Sequence, residues 1–295
     1  DPNTVEEQWS WLTSEENTTQ NMMNHATQGT YPPGSTFKLI TLLEYIRENP
    51  DTWQDFHYTC TGTYTNGDYV VNCHDGVAHG ELDIYGILGM SCNGAFDTIA
   101  QTLNSTKWQK LAEDFGYNQS DRSQVDFAYK KSHFDIASDD SVWSRMQLAI
   151  GQGTTTVTPL LNLMMYAAIA NDGVMMTPYL VDHYLDANGN VVEQTKPKAL
   201  RSVCTKAEAE LMDEFLTYVI TNGTAAAGGS QYARVSGKAG SAQYDSTKNY
   251  HAWFCGYGTN DVSEIAVCVM IEKGGAGGIV AAPVAGQIFD YYFSR

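Results

Sequence analysis

A helix that must begin at one defined residue limits the fold more than any other feature of this sequence. Residues 31–46 have the sequence YPPGSTFKLITLLEYI, and Pro33 with Gly34 prevents a helix from extending backwards past Ser35. Beyond Ser35, apolar side chains recur at helical spacing and predict one buried face, made of Phe37, Ile40, Leu43 and Ile46. We therefore predict a core helix whose first residue is a serine.

Charge and hydropathy narrow the classes of function. The 295-residue chain has 17 basic and 34 acidic residues, and its net charge of −17 repels a phosphate backbone, so we expect no nucleic-acid partner. The longest apolar run, residues 160–170, is well short of the roughly 20 residues that a membrane crossing requires. The chain is long enough to bury a large core and to form a cleft.

The first two thirds of the chain predict helices around a turn-rich insertion. Residues 56–80 are rich in Tyr, Thr, Asn, Gly and Asp, which favours short strand pairs. Helical patterns follow at residues 82–90 and 155–170. Thr205 and Glu208 form a capping box for another helix, which we expect to end at Gly223 in a left-handed conformation.

The last third predicts an antiparallel sheet with a helix packed on it. Residues 232–244, 250–258 and 263–275 combine strand-forming residues with intervening turns, as is typical of a meander. In the final segment Val284, Ile288 and Tyr292 recur at helical spacing, which indicates a last helix that packs on the sheet. The predicted fold class is therefore α+β, with an antiparallel β-sheet flanked by helices.

Ser35 and Lys38 together suggest a nucleophile with its own base. They are three residues apart, so on a helix they share one face. In apolar surroundings the charged form of a lysine loses hydration, which lowers its pKa and lets it take a proton from a nearby hydroxyl. Backbone N–H groups at the helix N-terminus would stabilise an oxyanion, so the pattern indicates acyl transfer. A serine at a helix start is more often only a cap, so this motif alone is weak.

Two further motifs strengthen the hypothesis of a catalytic site. The stretch SCNGAF contains Ser91 and Asn93, and SGKAGSAQ contains Lys238, Gly240 and Ser241. In isolation, the first pair would be a turn or a helix cap and the lysine a solvated strand end. The joint appearance of Ser-x-x-Lys, Ser-x-Asn and Lys-small-Gly in this order argues for one shared site.

These motifs closely resemble the transpeptidase domain of class B penicillin-binding proteins, within the serine penicillin-recognising enzyme superfamily. The resemblance includes NHATQGTYPPGSTFK at residues 24–38 and GQGTTTVTPL at residues 151–160, and it covers nearly the whole chain, residues 1–295. It implies an antiparallel sheet flanked by helices together with an all-helical subdomain. Serine β-lactamases share the motifs, but the 147 positions from Ser91 to Lys238 exceed the gap in class A enzymes. No Glu-x-x-Leu-Asn segment follows Asn93 to place a hydrolytic water, so fast deacylation is disfavoured.

The resemblance implies a role for each matched residue of the first two motifs. Ser35 would attack the penultimate D-Ala carbonyl of a peptidoglycan stem peptide, and Lys38 would take its proton. Ser91 would relay a proton to the leaving D-Ala. Asn93 would hold both Lys38 and the substrate amide. These four side chains would perform the acylation step.

The third motif is implied to bind the substrate. Lys238 would supply positive charge near Ser91 and the substrate carboxylate, and the Ser241 hydroxyl would bind that carboxylate. Gly240 would let the substrate lie along the edge strand. The N–H groups of Ser35 and Ser241 would form the oxyanion hole.

The chain departs from the family pattern in two places. Ala239 stands where the family usually has Thr or Ser, but alternation along a strand should point this position away from the cleft that Lys238 faces, so we expect tuning rather than inactivation. The family domain also normally opens with two strands that this chain lacks, and it follows an N-terminal membrane anchor. We therefore expect a processed or partial chain whose sheet lacks those strands.

The resemblance implies a serine-type D,D-transpeptidase that cross-links peptidoglycan and is acylated by β-lactams. It implies peptidoglycan stem peptides ending in D-Ala-D-Ala as substrate, a possible membrane glycan polymerase as partner, and no cofactor for catalysis. The expected location is the outer face of the bacterial cytoplasmic membrane. A D,D-carboxypeptidase, a serine β-lactamase, a non-catalytic β-lactam sensor and a cell-wall scaffold remain alternatives.

A group of cysteines and histidines in the insertion suggests a second site. Cys60, Cys73, His74 and His79 could fill a tetrahedral structural zinc site, although their spacing fits no tight template. A Cys60–Cys73 disulfide and two free thiols are the alternatives. The other four cysteines lie among apolar residues, where we expect small buried side chains without chemistry.

Overall fold

A computed structural model describes residues 2–17, 21–73, 76–119, 125–247 and 249–295. Its α-helices are Trp9–Leu12 (α1), Lys38–Glu48 (α2), Ile84–Gly89 (α3), Asn93–Ala100 (α4), Ser105–Asp114 (α5), Val142–Ala149 (α6), Pro159–Ala170 (α7), Lys206–Asn222 (α8) and Gly277–Phe293 (α9). Its strands are His57–Cys60 (β1), Thr63–Asn66 (β2), Tyr69–Asn72 (β3), Gly80–Asp83 (β4), Val174–Met176 (β5), His183–Leu185 (β6), Val191–Gln194 (β7), Ala199–Ser202 (β8), Arg234–Gln243 (β9), Tyr250–Thr259 (β10) and Glu264–Ile271 (β11). None of the described helices is long and apolar enough to cross a membrane.

The predicted meander is confirmed as the central sheet. It is antiparallel, its strand order is β11-β10-β9, and β9 therefore lies at one edge. Directly paired residues form one row across the sheet, from Lys238 through Cys255 to Cys268. Strand β10 is buried over nearly its whole length because helices cover both of its faces. The α+β class and the helices that flank the sheet are confirmed as well.

The last helix packs on the sheet with a different face from the predicted one. Val284, Ile288 and Tyr292 have the expected spacing but are 38 to 41% exposed. The buried face instead includes Ala285 and Phe289, and the Phe289 ring lies 6.3 Å from the Phe254 ring of β10. Small side chains on the buried face let the helix approach the strands closely. The buried face is therefore less apolar in composition than the exposed stripe of larger residues.

The helix α8 begins as predicted and ends differently. Its capping box is present, since Thr205 Oγ1 accepts from Glu208 N and the Glu208 carboxylate accepts from Thr205 N. The left-handed ending predicted at Gly223 is wrong, because this residue has a φ of −121°. A Cβ at Gly223 would lie 2.4 Å from the Gly89 carbonyl oxygen, so glycine is needed for close approach between two helix ends rather than for its φ.

The turn-rich insertion and the helical part of the molecule meet at α4. The insertion forms the antiparallel pairs β1–β4 and β2–β3, which confirms its predicted strands. The helices α2, α4, α5 and α6 pack together in the helical part. Aromatic side chains fill its centre, where the Phe37 ring lies 4.9 Å from that of Phe134 and 6.5 Å from that of Trp108. This packing buries the face of α2 that the sequence predicts.

Candidate active site

Ser35 lies in a tight turn that precedes α2. Residues Gly34–Phe37 form a 3-10 turn and the α-helix begins at Lys38, three residues later than predicted. The cause is the backbone of Gly34, whose φ of +56° is favourable only for glycine and whose N–H donates to the Gly151 carbonyl. Ser35 is partly exposed at the surface, while Lys38 is fully buried one turn further on.

Residues outside the three motifs hold this turn from behind. The Tyr166 hydroxyl donates to the Thr36 carbonyl over 2.9 Å, and Asn162 Nδ2 donates to Thr36 Oγ1 over 3.1 Å. Trp253 Nε1 of the central sheet donates to the Pro32 carbonyl over 3.0 Å. Sequence reasoning missed these contacts. The available signal was a pair of polar residues, Asn162 and Tyr166, four positions apart in an otherwise apolar helix.

The Lys38 amine is fixed between the first two motifs. Its Nζ atom donates to the Ser91 carbonyl over 2.7 Å, to Ser91 Oγ over 3.2 Å and to Asn93 Oδ1 over 2.7 Å. The Phe96 ring lies 5.1 Å from the same atom. Burial lowers the pKa of Lys38 to about 8, although the nearby Cys92, Cys73 and Asp97 oppose part of that shift. Roughly a fifth of this amine is therefore neutral at about pH 7.4, far more than for an ordinary lysine.

The loop that carries Ser91 is held in an unusual backbone conformation. Ser91 has a φ of +54°, which side-chain-bearing residues rarely adopt. Its N–H donates to the Leu88 carbonyl, and Asn93 Nδ2 donates to the Asn72 carbonyl at the end of β3 over 2.8 Å. The insertion thus fixes the Asn93 amide so that its oxygen points at Lys38. No sequence pattern predicts the Asn72 contact, because its acceptor is a backbone carbonyl.

Lys238 is buried on β9 and lies near Lys38. Its Nζ atom donates to the Ala239 carbonyl over 3.0 Å. Burial lowers the pKa of Lys238 well below its ordinary value, and the charge of Lys38 lowers it further. An anionic ligand beside Lys238 would oppose both effects and favour its charged form.

The rest of the third motif packs against the nucleophile turn and α9. A Cβ on Gly240 would lie 3.1 Å from the Pro33 carbonyl oxygen, so glycine lets β9 approach the turn closely. Ser241 Oγ accepts from the Gly277 N–H at the start of α9 over 3.0 Å. Ala239 is buried in the core, as its place on the opposite face of the strand requires.

A buried carboxyl group lies beneath the first two motifs. Asp97, one turn after Asn93 on α4, is fully buried, and neither of its oxygens has a hydrogen-bond partner among the described residues. Burial raises the pKa of Asp97 well above its ordinary value, and the charge of Lys38 opposes that shift. Asp97 belongs to none of the three motifs and was not predicted as a site residue. Asp97 is therefore a further titratable group that interacts with Lys38.

Four potential metal ligands converge next to the Ser91 loop. The Sγ atoms of Cys60, Cys73 and Cys92 and a ring nitrogen of His79 all lie within 4.8 Å of one another. Cys60 Sγ lies 3.6 Å from Cys73 Sγ and 3.4 Å from His79 Nδ1, and Cys73 Sγ lies 3.8 Å from Cys92 Sγ. Hydrogen bonding from Cys92 holds the pKa of Cys73 well below its ordinary value.

Among the described residues, this cluster adds one ligand to the predicted set. Cys92 joins it, although the sequence analysis treated that residue as an inert apolar side chain. His74 lies outside the described residues. Cys60 and Cys73, the alternative disulfide pair, are free thiols in the structure, as are the other four cysteines. Cys92 lies between Ser91 and Asn93, so the cluster is linked covalently to the candidate active site.

Comparison with known proteins leads to the family that the motifs resemble. The sequence model of one family, the penicillin binding protein transpeptidase domain, matches residues 1–290. The chain is 26% identical over 299 residues to the peptidoglycan D,D-transpeptidase MrdA of Acinetobacter baumannii, covering 94% of this chain and 44% of that protein. It spans between about two fifths and three fifths of the length of these curated relatives.

Solved structures share the fold. The D,D-transpeptidase domain of a peptidoglycan glycosyltransferase from Eggerthella lenta has a TM-score of 0.84 and 26% identity, covering 98% of this chain and 70% of that one. Penicillin-binding protein A from M. tuberculosis, solved as a ceftriaxone acyl-enzyme complex, has a TM-score of 0.83 and 23% identity. That match covers 96% of this chain and 65% of the other. These likenesses extend over nearly all of the chain.

Proposed function

Because the chain belongs to the penicillin-binding protein transpeptidase family, we propose that it is a D,D-transpeptidase that cross-links peptidoglycan stem peptides through an acyl-enzyme on Ser35. One observation carries this proposal: the buried Lys38 amine, with its lowered pKa, bonds both Ser91 Oγ and Asn93 Oδ1 one turn after Ser35. A neutral amine in this place is a base for the serine hydroxyl. The resemblance to MrdA, whose name specifies this activity, supports the assignment.

The contacts support a path for one proton. Ser35 Oγ attacks the penultimate D-Ala carbonyl, and Lys38 takes the hydroxyl proton. The 3.2 Å contact from Lys38 Nζ to Ser91 Oγ lets that proton pass through Ser91 to the leaving D-Ala amine. An acceptor amine then attacks the acyl-enzyme carbonyl and gives up a proton to Lys38, which returns it to Ser35 Oγ as the ester C–O bond breaks. The transfer between Lys38 and Ser91 takes place at hydrogen-bond distance, which lowers its barrier.

The third motif supplies the binding contacts in this proposal. Lys238 lies near Lys38, and an anionic substrate carboxylate would favour the charged form of a buried amine. Ser241 would bind the same carboxylate, and its N–H with that of Ser35 would stabilise the oxyanion. Gly240 would leave room for the substrate along β9, in addition to the close approach that it makes to the Pro33 carbonyl.

Acylation by a β-lactam tests the nucleophile directly. Intact-mass analysis after exposure to benzylpenicillin should show one adduct on the parent and none on Ser35→Ala. A long-lived adduct supports a penicillin-binding protein, and rapid loss of the adduct indicates a β-lactamase instead. No adduct on a folded parent would exclude acyl-enzyme chemistry and leave a scaffold role.

The acceptor needs a separate experiment. A depsipeptide or stem-peptide donor should give an amide product when a D-amino acid or a second stem peptide is added. Hydrolysis alone, unchanged by added amine, would identify a D,D-carboxypeptidase. Acylation by benzylpenicillin without turnover of either donor would identify a sensor.

The partners and location follow from the same proposal. The substrate is a polymer of the cell wall, so the active site must face the outside of the cytoplasmic membrane. A membrane glycan polymerase that supplies uncross-linked strands is the expected partner. Because the curated relatives are longer than this chain, the partner is proposed for the whole protein. Co-purification of the full-length protein with a polymerase from membranes would test this.

We further propose that Cys60, Cys73, His79 and Cys92 bind structural zinc. A tetrahedral zinc site with Zn–S bonds of about 2.3 Å has sulfur atoms roughly 3.8 Å apart, and the observed separations are 3.6 and 3.8 Å. Three thiol groups and one imidazole, with one thiol already of low pKa, suit zinc chemically. Protein purified without chelator should contain about one equivalent of zinc, and less than about a tenth would exclude the site.

A further inference from the structure

Two cysteines outside the zinc cluster face each other across the central sheet. Cys255 of β10 and Cys268 of β11 are directly paired in the antiparallel register. Their Sγ atoms lie 3.2 Å apart, closer than the 3.6 and 3.8 Å separations in the cluster. Neither residue takes part in the proposed transpeptidase chemistry or in the cluster.

The pairing geometry already meets the requirements of a disulfide. Opposed residues of an antiparallel pair have Cα atoms about 4.5 to 5.5 Å apart, and disulfides span about 4.4 to 6.8 Å. Side-chain rotation can therefore bring the two sulfurs to bonding distance without moving the strands. A metal site does not explain the pair, because zinc takes four ligands and the cluster at Cys60 is the candidate that the described residues contain.

We propose that Cys255 and Cys268 form a cross-strand disulfide when the protein folds in an oxidising compartment. The proposal rests on the extracytoplasmic location given above, since a reducing cytosol would keep both thiols free. The bond would join the two strands in the row that continues to Lys238 on β9. It would therefore brace the sheet next to the strand that carries the third motif.

The two cysteines differ in access, which fixes the order of the steps. Cys268 is partly exposed on β11, whereas Cys255 is fully buried under helices. The Cys268 thiolate attacks an oxidised thiol–disulfide oxidoreductase, forms a mixed disulfide and releases one thiol of the oxidant. Cys255 Sγ then displaces the second thiol, so that two thiols lose two protons and two electrons and the oxidant's disulfide is reduced.

Burial slows the second step in the folded protein. It raises the pKa of Cys255 well above its ordinary value, so little thiolate is present to displace the oxidant. We therefore expect the bond to form while β10 and β11 are still pairing, before α7 and α9 cover Cys255. Reduction of the finished bond should be slow for the same reason.

Thiol mapping of the exported full-length protein tests the proposal. After acid quench, denaturation and alkylation, the peptides that contain Cys255 and Cys268 should be recovered cross-linked, and unlinked after reduction. Cys268→Ser should lose the cross-link without a new one. Reduction should lower the thermal midpoint of the parent by roughly 5 to 10 °C and leave that of Cys268→Ser unchanged.

Two further experiments test the disulfide independently of the proposals on which it rests. The Ser35→Ala variant should carry the same cross-link, because the bond does not depend on acyl-enzyme chemistry. Refolding of reduced protein in oxidised glutathione tests the pair without export. Recovery of both cysteines in alkylated form after export and after refolding, or cross-linking of either to another cysteine, would overturn the inference.

Discussion

The Nζ atom of Lys38 lies 2.7 Å from Oδ1 of Asn93, and this contact joins the helix behind Ser35 to the loop that carries Ser91. The Asn93 amide is held in turn by the Asn72 carbonyl, so the turn-rich insertion contributes to the position of the base. A buried amine with three acceptors is fixed in direction as well as in place. The site is therefore built from three separate parts of the fold, which must be docked before the base is aligned.

The rate of acylation should depend on pH through Lys38. Burial lowers the pKa of Lys38 to about 8, and only the neutral amine can take the Ser35 proton. The second-order rate constant for benzylpenicillin should therefore rise about tenfold per pH unit below about pH 8 and level off above it. Stopped-flow measurements over this range check the profile. A rate that is flat from about pH 6 to about pH 9 would contradict a titrating lysine base.

Removal of the Asn93 contact should slow acylation and leave the fold intact. Asn93→Ala deletes one hydrogen bond to a charged or chargeable amine, which corresponds to roughly a 10- to 100-fold loss in rate. Asn93→Asp keeps an acceptor but adds a negative charge beside Lys38, so the midpoint of the pH profile should move upwards. If the midpoint were the same in Asn93→Asp and the parent, the side chain at position 93 would not affect the pKa of Lys38.

Position 151 should tolerate no side chain, because it lies against the turn that carries Ser35. A Cβ at Gly151 would lie 2.2 Å from the Gly34 carbonyl oxygen, and its φ is +69°. Gly151→Ala should lose acylation and at least about 2 kcal/mol of the free energy of unfolding. Gly67→Ala is the matched control, because its φ is +61° but nothing lies within 4 Å of its added Cβ. Equal losses in the two variants would attribute the effect to φ alone.

The helices and strands could be predicted from the sequence better than which of their faces is buried and which contacts they make. The start of α8 at Thr205 and the meander depend on local capping and alternation, which neighbouring residues encode. The buried side of α9 was not predictable, because its alanine face and its exposed stripe have the same helical period. Sequence patterns report which residues share a face and not which face meets the sheet.

The candidate active site could also be predicted only in part. The pattern of Ser35 and Lys38 places two groups on one helix face, but the Asn72 carbonyl and the Tyr166 hydroxyl reach the site from distant parts of the chain. A backbone acceptor has no side-chain signature. Cys92 could have been noticed, since it lies inside the second motif, but without the fold it could not be placed beside Cys73.

The two faces of α9 should respond differently to truncation. Phe289 is fully buried against the sheet, so Phe289→Ala should lower the free energy of unfolding by about 3 to 5 kcal/mol. Ile288 is 38% exposed, and Ile288→Ala should change it by less than about 1 kcal/mol. Chemical denaturation of both variants measures the difference. A larger loss at Ile288 would place the originally predicted stripe, not the alanine face, against the sheet.

Cys92 should couple the cluster to acylation. Cys92→Ser replaces one of four potential zinc ligands and leaves the neighbouring Ser91 and Asn93 unchanged, so it should reduce bound zinc to below about half an equivalent. The loss of that anchor should free the strained Ser91 loop and lower the rate of acylation by roughly 10- to 100-fold. Cys204→Ser is the matched control, since Cys204 is also buried but lies outside the cluster. Cys204→Ser should keep its zinc and its acylation rate. If Cys92→Ser also kept both, Cys92 would be a packing residue and the cluster would have no link to the active site.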